Sequence, residues 1–163
     1  MLIKAAIILV IQFSCDLQPS FNTSTDLITN IELDEREKKK AYLVKQAVAY
    51  KGTTYVSGGE SFMEGFDCSG LTKQLYKGTG INLPHSAKLQ SQLGKPVSRQ
   101  HLEPGDLLFF SHGEGISHVA MVLSHNQKGT HIVHATSSKG VIFETLEQSR
   151  YWTEKYQEAR RLF

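Results

Sequence analysis

Cysteine is scarce in this chain, with two among 163 residues. Two are too few for the disulfide framework of a small secreted scaffold, and no Cys-Cys pair at metal-ligand spacing occurs. Neither sign of charge dominates. Eighteen basic and sixteen acidic residues leave a formal charge of +2, with no basic stripe of the kind nucleic-acid binding needs, so no nucleic-acid partner is expected. No internal repeat is present, and the length leaves room for one domain with a modest core. Long apolar runs are missing too. The N-terminal run Ala5–Ile11 falls well short of the roughly 20 residues a membrane-spanning helix requires.

What stands at the N-terminus is a short charged start containing Lys4, that apolar run, and then Gln12-Phe13-Ser14-Cys15. This order predicts a secretory signal over residues 1–15 rather than a membrane anchor. Ser14 before Cys15 resembles the bacterial lipoprotein signal, in which the cysteine is lipidated. Gln12 departs from that pattern, which leaves plain secretion open. A disulfide between Cys15 and Cys68 is not expected, because each lies in a motif of its own.

Residues 16–30, rich in Ser, Thr, Asn and Asp, read as a flexible tether. A globular domain is expected over 31–163. The charge run Asp34–Lys40 leads into Ala41, Val44, Ala47 and Val48 at helical spacing, with Gly52 as a stop. After the glycines at 58, 59 and 65, a second helix is predicted over Cys68–Lys77, with Cys68, Leu71 and Leu75 on its core face. A third is predicted from an N-cap at Ser86 through Leu89 and Leu93 to Gly94. The second half changes period. Asp106–Phe110, Ser117–Leu123, His131–Ala135 and Val141–Glu144 read as strands of an antiparallel meander, with Ser124–Gly129 as a hairpin loop. Helices followed by strands predict an α+β fold.

Cys68, in Phe66-Asp67-Cys68-Ser69-Gly70, sits at the predicted start of a helix. Amide groups and the helix dipole favour a thiolate at such a position, which marks Cys68 as a candidate nucleophile. A nucleophilic cysteine needs a histidine to take its proton and a polar group to orient that histidine. Seven histidines are present, and strand parity separates them. His118 and His134 are both even-numbered and flank the predicted hairpin. One register sets them directly opposite, and the next of the same parity sets them diagonally within side-chain reach. His131 falls on the other strand face and His125 in the hairpin loop. His85, His101 and His112 lie in connections without evident partners. Two readings compete with catalysis: a hydrogen-bonded pair of strand histidines, and a structural zinc site on Cys68, His118 and His134, whose residue types are acceptable ligands.

Cys68-Ser69-Gly70-Leu71, Ser117-His118-Val119-Ala120 and Ile132-Val133-His134-Ala135, in that order, resemble the NlpC family of papain-like bacterial cell-wall cysteine peptidases. Thr53-Thr54-Tyr55 with Gly58-Gly59, Leu83-Pro84 with Ser86, and Leu102–Leu107 resemble further family segments. The resemblance covers roughly Ala41 to Phe163. It implies a papain-like α+β fold with the nucleophile helix packed on a central antiparallel sheet. It also implies that Cys68 is the nucleophile, His118 the general base and His134 the residue orienting it. Tyr55 would reach the oxyanion or the substrate, and Asp67 and Ser69 would help hold the substrate's free amine. Ser57 and His85 depart from the family's commoner residues at their positions. The implied activity is hydrolysis of amide bonds in peptidoglycan stem peptides, foremost γ-D-glutamyl–diamino acid, by a monomer that needs no metal or organic cofactor. An exported, lipid-anchored enzyme at the membrane would suit that substrate. An amidase or acyltransferase on the same scaffold, or a non-catalytic wall-binding protein, are the alternatives.

Overall fold

A computed structural model describes residues 24–163. The predicted signal segment, Cys15 and the predicted tether up to residue 23 lie outside the described residues. In chain order the elements are helix α1 (Ser24–Tyr50), strands β1 (Glu60–Ser61) and β2 (Gly65–Phe66), helices α2 (Cys68–Lys77) and α3 (Ala87–Gln90), and strands β3 (Lys95–Val97), β4 (Leu107–Phe110), β5 (His118–Asn126), β6 (Gly129–Thr136) and β7 (Gly140–Thr145). Helix α4 (Arg150–Lys155) and strand β8 (Tyr156–Arg161) complete the set. The two short strands β1 and β2 pair with each other, and the other six form one antiparallel sheet in the order β3-β8-β4-β5-β6-β7. No helix among the described residues is long and apolar enough to cross a membrane.

The sheet buries both faces, and strand parity decides which residue goes where. Val119, Met121, Val133 and Ala135 join Leu71 and Leu75 of α2 and Leu43 and Ala47 of α1 in the larger core. Their even-numbered neighbours Ala120, Val122 and Ile132 face a smaller core with Phe110, Leu146 and Trp152. Leu71 and Leu75 are fully buried, each stabilising the packing of α2 by about 1.5–3 kcal/mol relative to exposure. That packing presses the helix carrying Cys68 against the middle of the sheet.

The structure departs from sequence expectation in several places. Helix α1 already includes Ser24–Asn30, where a tether is expected. Leu27 and Ile28 of that stretch stay exposed, as does Ile31 just after it. Helix α3 ends at Gln90 rather than near Gly94, and it buries Ala87 and Gln90 while Leu89 and Leu93 face outward. The β5–β6 strands run past the expected loop to Asn126 and Gly129, leaving only Gln127 and Lys128 between them. This places His125 on a strand, bonded to the Thr130 hydroxyl at 3.0 Å. Strand β8, inside the sheet, has no apolar alternation to betray it. Its Arg161 instead forms ion pairs with the buried Asp106 and with Glu103, both at 2.8 Å.

Close backbone contact fixes the start of α2. The Asp67 amide donates to the Gly59 carbonyl at 2.9 Å, and Gly70 packs so tightly on that same carbonyl that a Cβ there would overlap it. A Gly70→Ala substitution is therefore expected to displace the helix start and to cost about 1–3 kcal/mol of stability. Urea denaturation would show the loss as a lowered midpoint at unchanged slope.

Candidate active site

Cys68 is the first residue of α2, and the segment before it is held on three sides. Asp67 caps the helix, its Oδ1 accepting from the Gly70 amide at 2.7 Å and the Ser69 hydroxyl at 3.1 Å. Its Oδ2 accepts from the Gly58 amide at 3.0 Å and lies 2.9 Å from His85 Nε2. Burial would raise the Asp67 pKa, but the Gly70 amide, His85 and Ser69 together hold it below the usual carboxylate value. An N-cap of this kind is worth about 1 kcal/mol. The fully buried Gln90 ties the same turn to α3. Its amide nitrogen donates to the carbonyls of Ser69 at 3.0 Å and Pro84 at 2.8 Å, and its oxygen accepts from the Thr72 hydroxyl at 2.7 Å.

The histidines come from the sheet. Met121 pairs with Val133 and Val122 with Ile132. Continued to the open end of the hairpin, this register sets His134 opposite Ala120 and diagonal to His118, the second of the two registers that parity allows. His118 Nε2 lies 3.0 Å from His134 Nδ1. His134 is fully buried and His118 nearly so. On the far side His134 Nε2 lies 3.1 Å from Glu144 Oε2 on β7. Trp152 of α4 covers the pair, stacked on His118 at 4.4 Å between ring centroids and edge-on to His134 at 4.9 Å.

Cys68, His118 and Tyr55 line one cleft of about 510 Å³, together with His112, Ser117, Lys139, Glu144, Tyr151 and Trp152. The backbone amides of Val119, next in the chain to His118, of Ser69 and of Cys68 itself favour the charged form of the Cys68 side chain. Tyr55 is placed by the bridge between its own segment and Phe66, two residues before Cys68. Asp67 and Ser69 are not brought into the cleft wall; their side chains are occupied in the helix cap. His131 is half-buried and bonded to Thr145 at 3.0 Å, away from the pair.

Three residues of the cleft escape sequence reasoning. Glu144 shares the strand parity of His134, and the β6–β7 register, with His134 opposite Ile142, makes it a diagonal neighbour; the same parity argument extended one strand further finds it. His112, expected to lack partners, has several. Its Nδ1 bonds the Ser117 hydroxyl at 2.9 Å, and its ring stacks on Tyr151 at 5.7 Å between centroids. Trp152 lies on a helix with no apolar period to announce it.

The electrostatics revise one expectation. Burial, aided by the Asp67 charge, pushes the Cys68 thiol above the ordinary cysteine value, and the three amides that favour thiolate do not outweigh it. His118 is driven well below the ordinary histidine value, first by burial and then by His134 and His112. His134 is lowered to about 4 by burial, against the opposing pull of Glu144. Both shifts act against the charged pair, and so against the thiolate that a helix start alone favours.

A cysteine-bearing helix packed on an antiparallel sheet, with histidines on adjacent strands, defines the papain-like class of fold. The chain belongs to the NlpC/P60 family, whose pattern matches residues 52–161. It is 36% identical over 140 residues to the gamma-DL-glutamyl hydrolase of Bacillus subtilis, an alignment covering 83% of this chain and 33% of that protein. It is 35% identical over 147 residues to the murein DD-endopeptidase MepS/murein LD-carboxypeptidase of Escherichia coli K12, covering 90% and 72%. The crystal structure of an NlpC/P60 family protein from Bacillus cereus superposes with a TM-score of 0.67 at 33% identity, covering 75% of this chain and 39% of that one. The chain therefore spans about a third of the Bacillus subtilis protein, about two fifths of the Bacillus cereus chain and nearly three quarters of the Escherichia coli protein.

Because burial raises the pKa of the Cys68 thiol, alkylation of Cys68 by iodoacetamide should keep accelerating from pH 7 through pH 9. Mass spectrometry of the Cys68 peptide would follow it. A rate that levels off below pH 7 would show a resting thiolate and contradict this electrostatic account.

Proposed function

We propose that the protein is a cysteine peptidase that hydrolyses amide bonds in peptidoglycan stem peptides. The observation that carries this reading is the convergence of Cys68 and His118 on one open cleft, with His134 hydrogen-bonded behind His118. A Cys-His-His set of this kind suits covalent acyl transfer.

In the proposed cycle, substrate displaces water from the cleft and the Cys68 proton passes to His118. The sulfur attacks the scissile carbonyl carbon, and amides at the start of α2, with the Tyr55 hydroxyl, stabilise the oxyanion. Collapse of the tetrahedral intermediate breaks the C–N bond, and His118 protonates the departing amine. A water molecule then gives a proton to His118 and attacks the thioester; the C–S bond breaks and the sulfur recovers its proton. Burial of the neutral imidazole fits a base that is charged only transiently.

The leading bond is γ-D-glutamyl–diamino acid. The name of the Bacillus subtilis relative points to γ-glutamyl linkage, and Lys139 on the β6–β7 turn offers a cation to the α-carboxylate that such a linkage leaves free. The Escherichia coli relative, matched over more of both chains, is named for DD-endopeptidase and LD-carboxypeptidase activity, which makes the cross-link the second reading. Stem peptides lie outside the cytoplasm, so the proposal includes export, with Cys15 as a lipid attachment point that holds the enzyme at the membrane beside the wall.

Two experiments test this reading. Purified protein incubated with defined muropeptides should release products whose masses identify the bond, and Cys68→Ala should lose at least about 1,000-fold of that activity; undiminished cleavage by the variant would sink the mechanism. For the anchor, Cys15→Ser should move the protein from the membrane to the soluble fraction, and retention at wild-type yield would rule out lipidation there.

A further inference from the structure

We propose that Glu144 is a positioning residue of the catalytic site, the far end of a hydrogen-bonded chain that sets which nitrogen of His118 is free to take the Cys68 proton. The inference rests on the reading that Cys68 and His118 carry the chemistry.

Its basis is the geometry of three adjacent strands. His134 stands on the middle strand, diagonal to His118 on one side and to Glu144 on the other. The contacts are 3.0 Å from His118 Nε2 to His134 Nδ1 and 3.1 Å from His134 Nε2 to Glu144 Oε2. An ionised carboxylate can only accept hydrogen bonds, and a neutral imidazole has one donor and one acceptor nitrogen. Glu144 therefore requires the proton of His134 on Nε2. His134 Nδ1 is then an acceptor, and the nitrogen facing it, His118 Nε2, must carry the proton. This leaves His118 Nδ1 as the basic nitrogen. That atom makes no hydrogen bond to any other described residue, and its ring lines the cleft with Cys68. One carboxylate thus orders the protons of two rings by elimination.

Glu144 has a second effect. When His118 takes the thiol proton, positive charge appears in a site enclosed by Trp152 and the sheet. Lys139 opposes that charge and Glu144 favours it; the pull of Glu144 on His134 is already present at rest. The other ionisable groups around the chain are Cys68 and Tyr55 on the helix side, His112 before β5, His131 on β6 and Tyr151 on α4. Glu144 is the one acidic side chain in the cleft wall among the described residues. Its own side chain is a quarter exposed, so it also touches the cleft, and a direct role in substrate binding is the rival that the test must separate.

The test compares Glu144→Ala, Glu144→Gln and Glu144→Asp with wild type. With muropeptide substrate, Glu144→Ala is expected to lower kcat by roughly 10- to 100-fold, the loss typical when the hydrogen-bond partner behind a metal-ligating histidine is removed, with KM nearly unchanged. Glu144→Gln keeps an acceptor for His134 but loses the charge. It should retain more kcat than Glu144→Ala while moving the acid limb of kcat/KM to lower pH, because the base is weakened. Glu144→Asp should restore part of both. Glu144→Ala at wild-type kcat with an unmoved pH profile would overturn the inference, as would a raised KM at unchanged kcat, which marks a substrate contact. If Glu144→Ala fails to fold, the acid-limb shift of Glu144→Gln decides alone.

A substrate-free readout keeps this inference separate from the proposed reaction. Alkylation of Cys68 at pH 7 should be several-fold slower in Glu144→Gln than in wild type, and equal to it at pH 10, where the thiol ionises without help. If no muropeptide is cleaved by wild type, the functional reading fails while this comparison still decides Glu144. Equal alkylation rates at pH 7 would count against it.

Discussion

The hydrogen bond between His118 and His134 depends on one choice of strand register, and the rest of the site depends on that bond. In the β5–β6 ladder a shift of a single residue would send both imidazoles to opposite faces of the sheet. The observed register is held by apolar partners on both faces, with Met121 and Val133 against helix α2 and Val122 and Ile132 against the smaller core. Because both faces are buried, a slip would place polar residues in two cores at once. The packing that stabilises the sheet therefore also fixes the geometry of the site.

Cys68 is held by a different set of forces. The start of α2 rests on polar contacts with partners close in the fold: Asp67 with four donors, Gln90 with three backbone and hydroxyl groups, and Gly70 against the Gly59 carbonyl. These satisfy the backbone at the buried helix start and leave the Cys68 side chain as the group turned toward the cleft. Burial on the cysteine side favours the thiol, and burial on the histidine side favours the neutral ring. Both shifts favour the uncharged forms of the two side chains.

Much of this was legible in the chain before any coordinates. Helix α2 follows from the spacing of Cys68, Leu71 and Leu75, and the pairing of His118 with His134 from strand parity alone. What stayed hidden had physical reasons. Strand β8 is held inside the sheet by ion pairs of Arg161 rather than by alternating apolar residues, so its sequence looks like a solvated turn. The buried face of α3 is carried by Gln90, a polar residue whose partners lie far along the chain. Glu144 lay within reach of the parity argument, because two diagonals meeting on one strand are as readable as one. His112 and Trp152 were not, since their contacts with the histidine pair depend on how a loop and a short helix fold back over the sheet.

The central claim is an order of protons: Glu144 to His134 Nε2–H, His134 Nδ1 to His118 Nε2–H, and a bare His118 Nδ1 toward the cleft. Nitrogen-15 NMR of histidine-labelled protein at pH 7 reads the tautomer of each ring directly from long-range correlations to the ring carbon protons. The account predicts that both His118 and His134 are neutral and protonated on Nε2. A proton on Nδ1 of either ring, or a doubly protonated His134 at that pH, would contradict it.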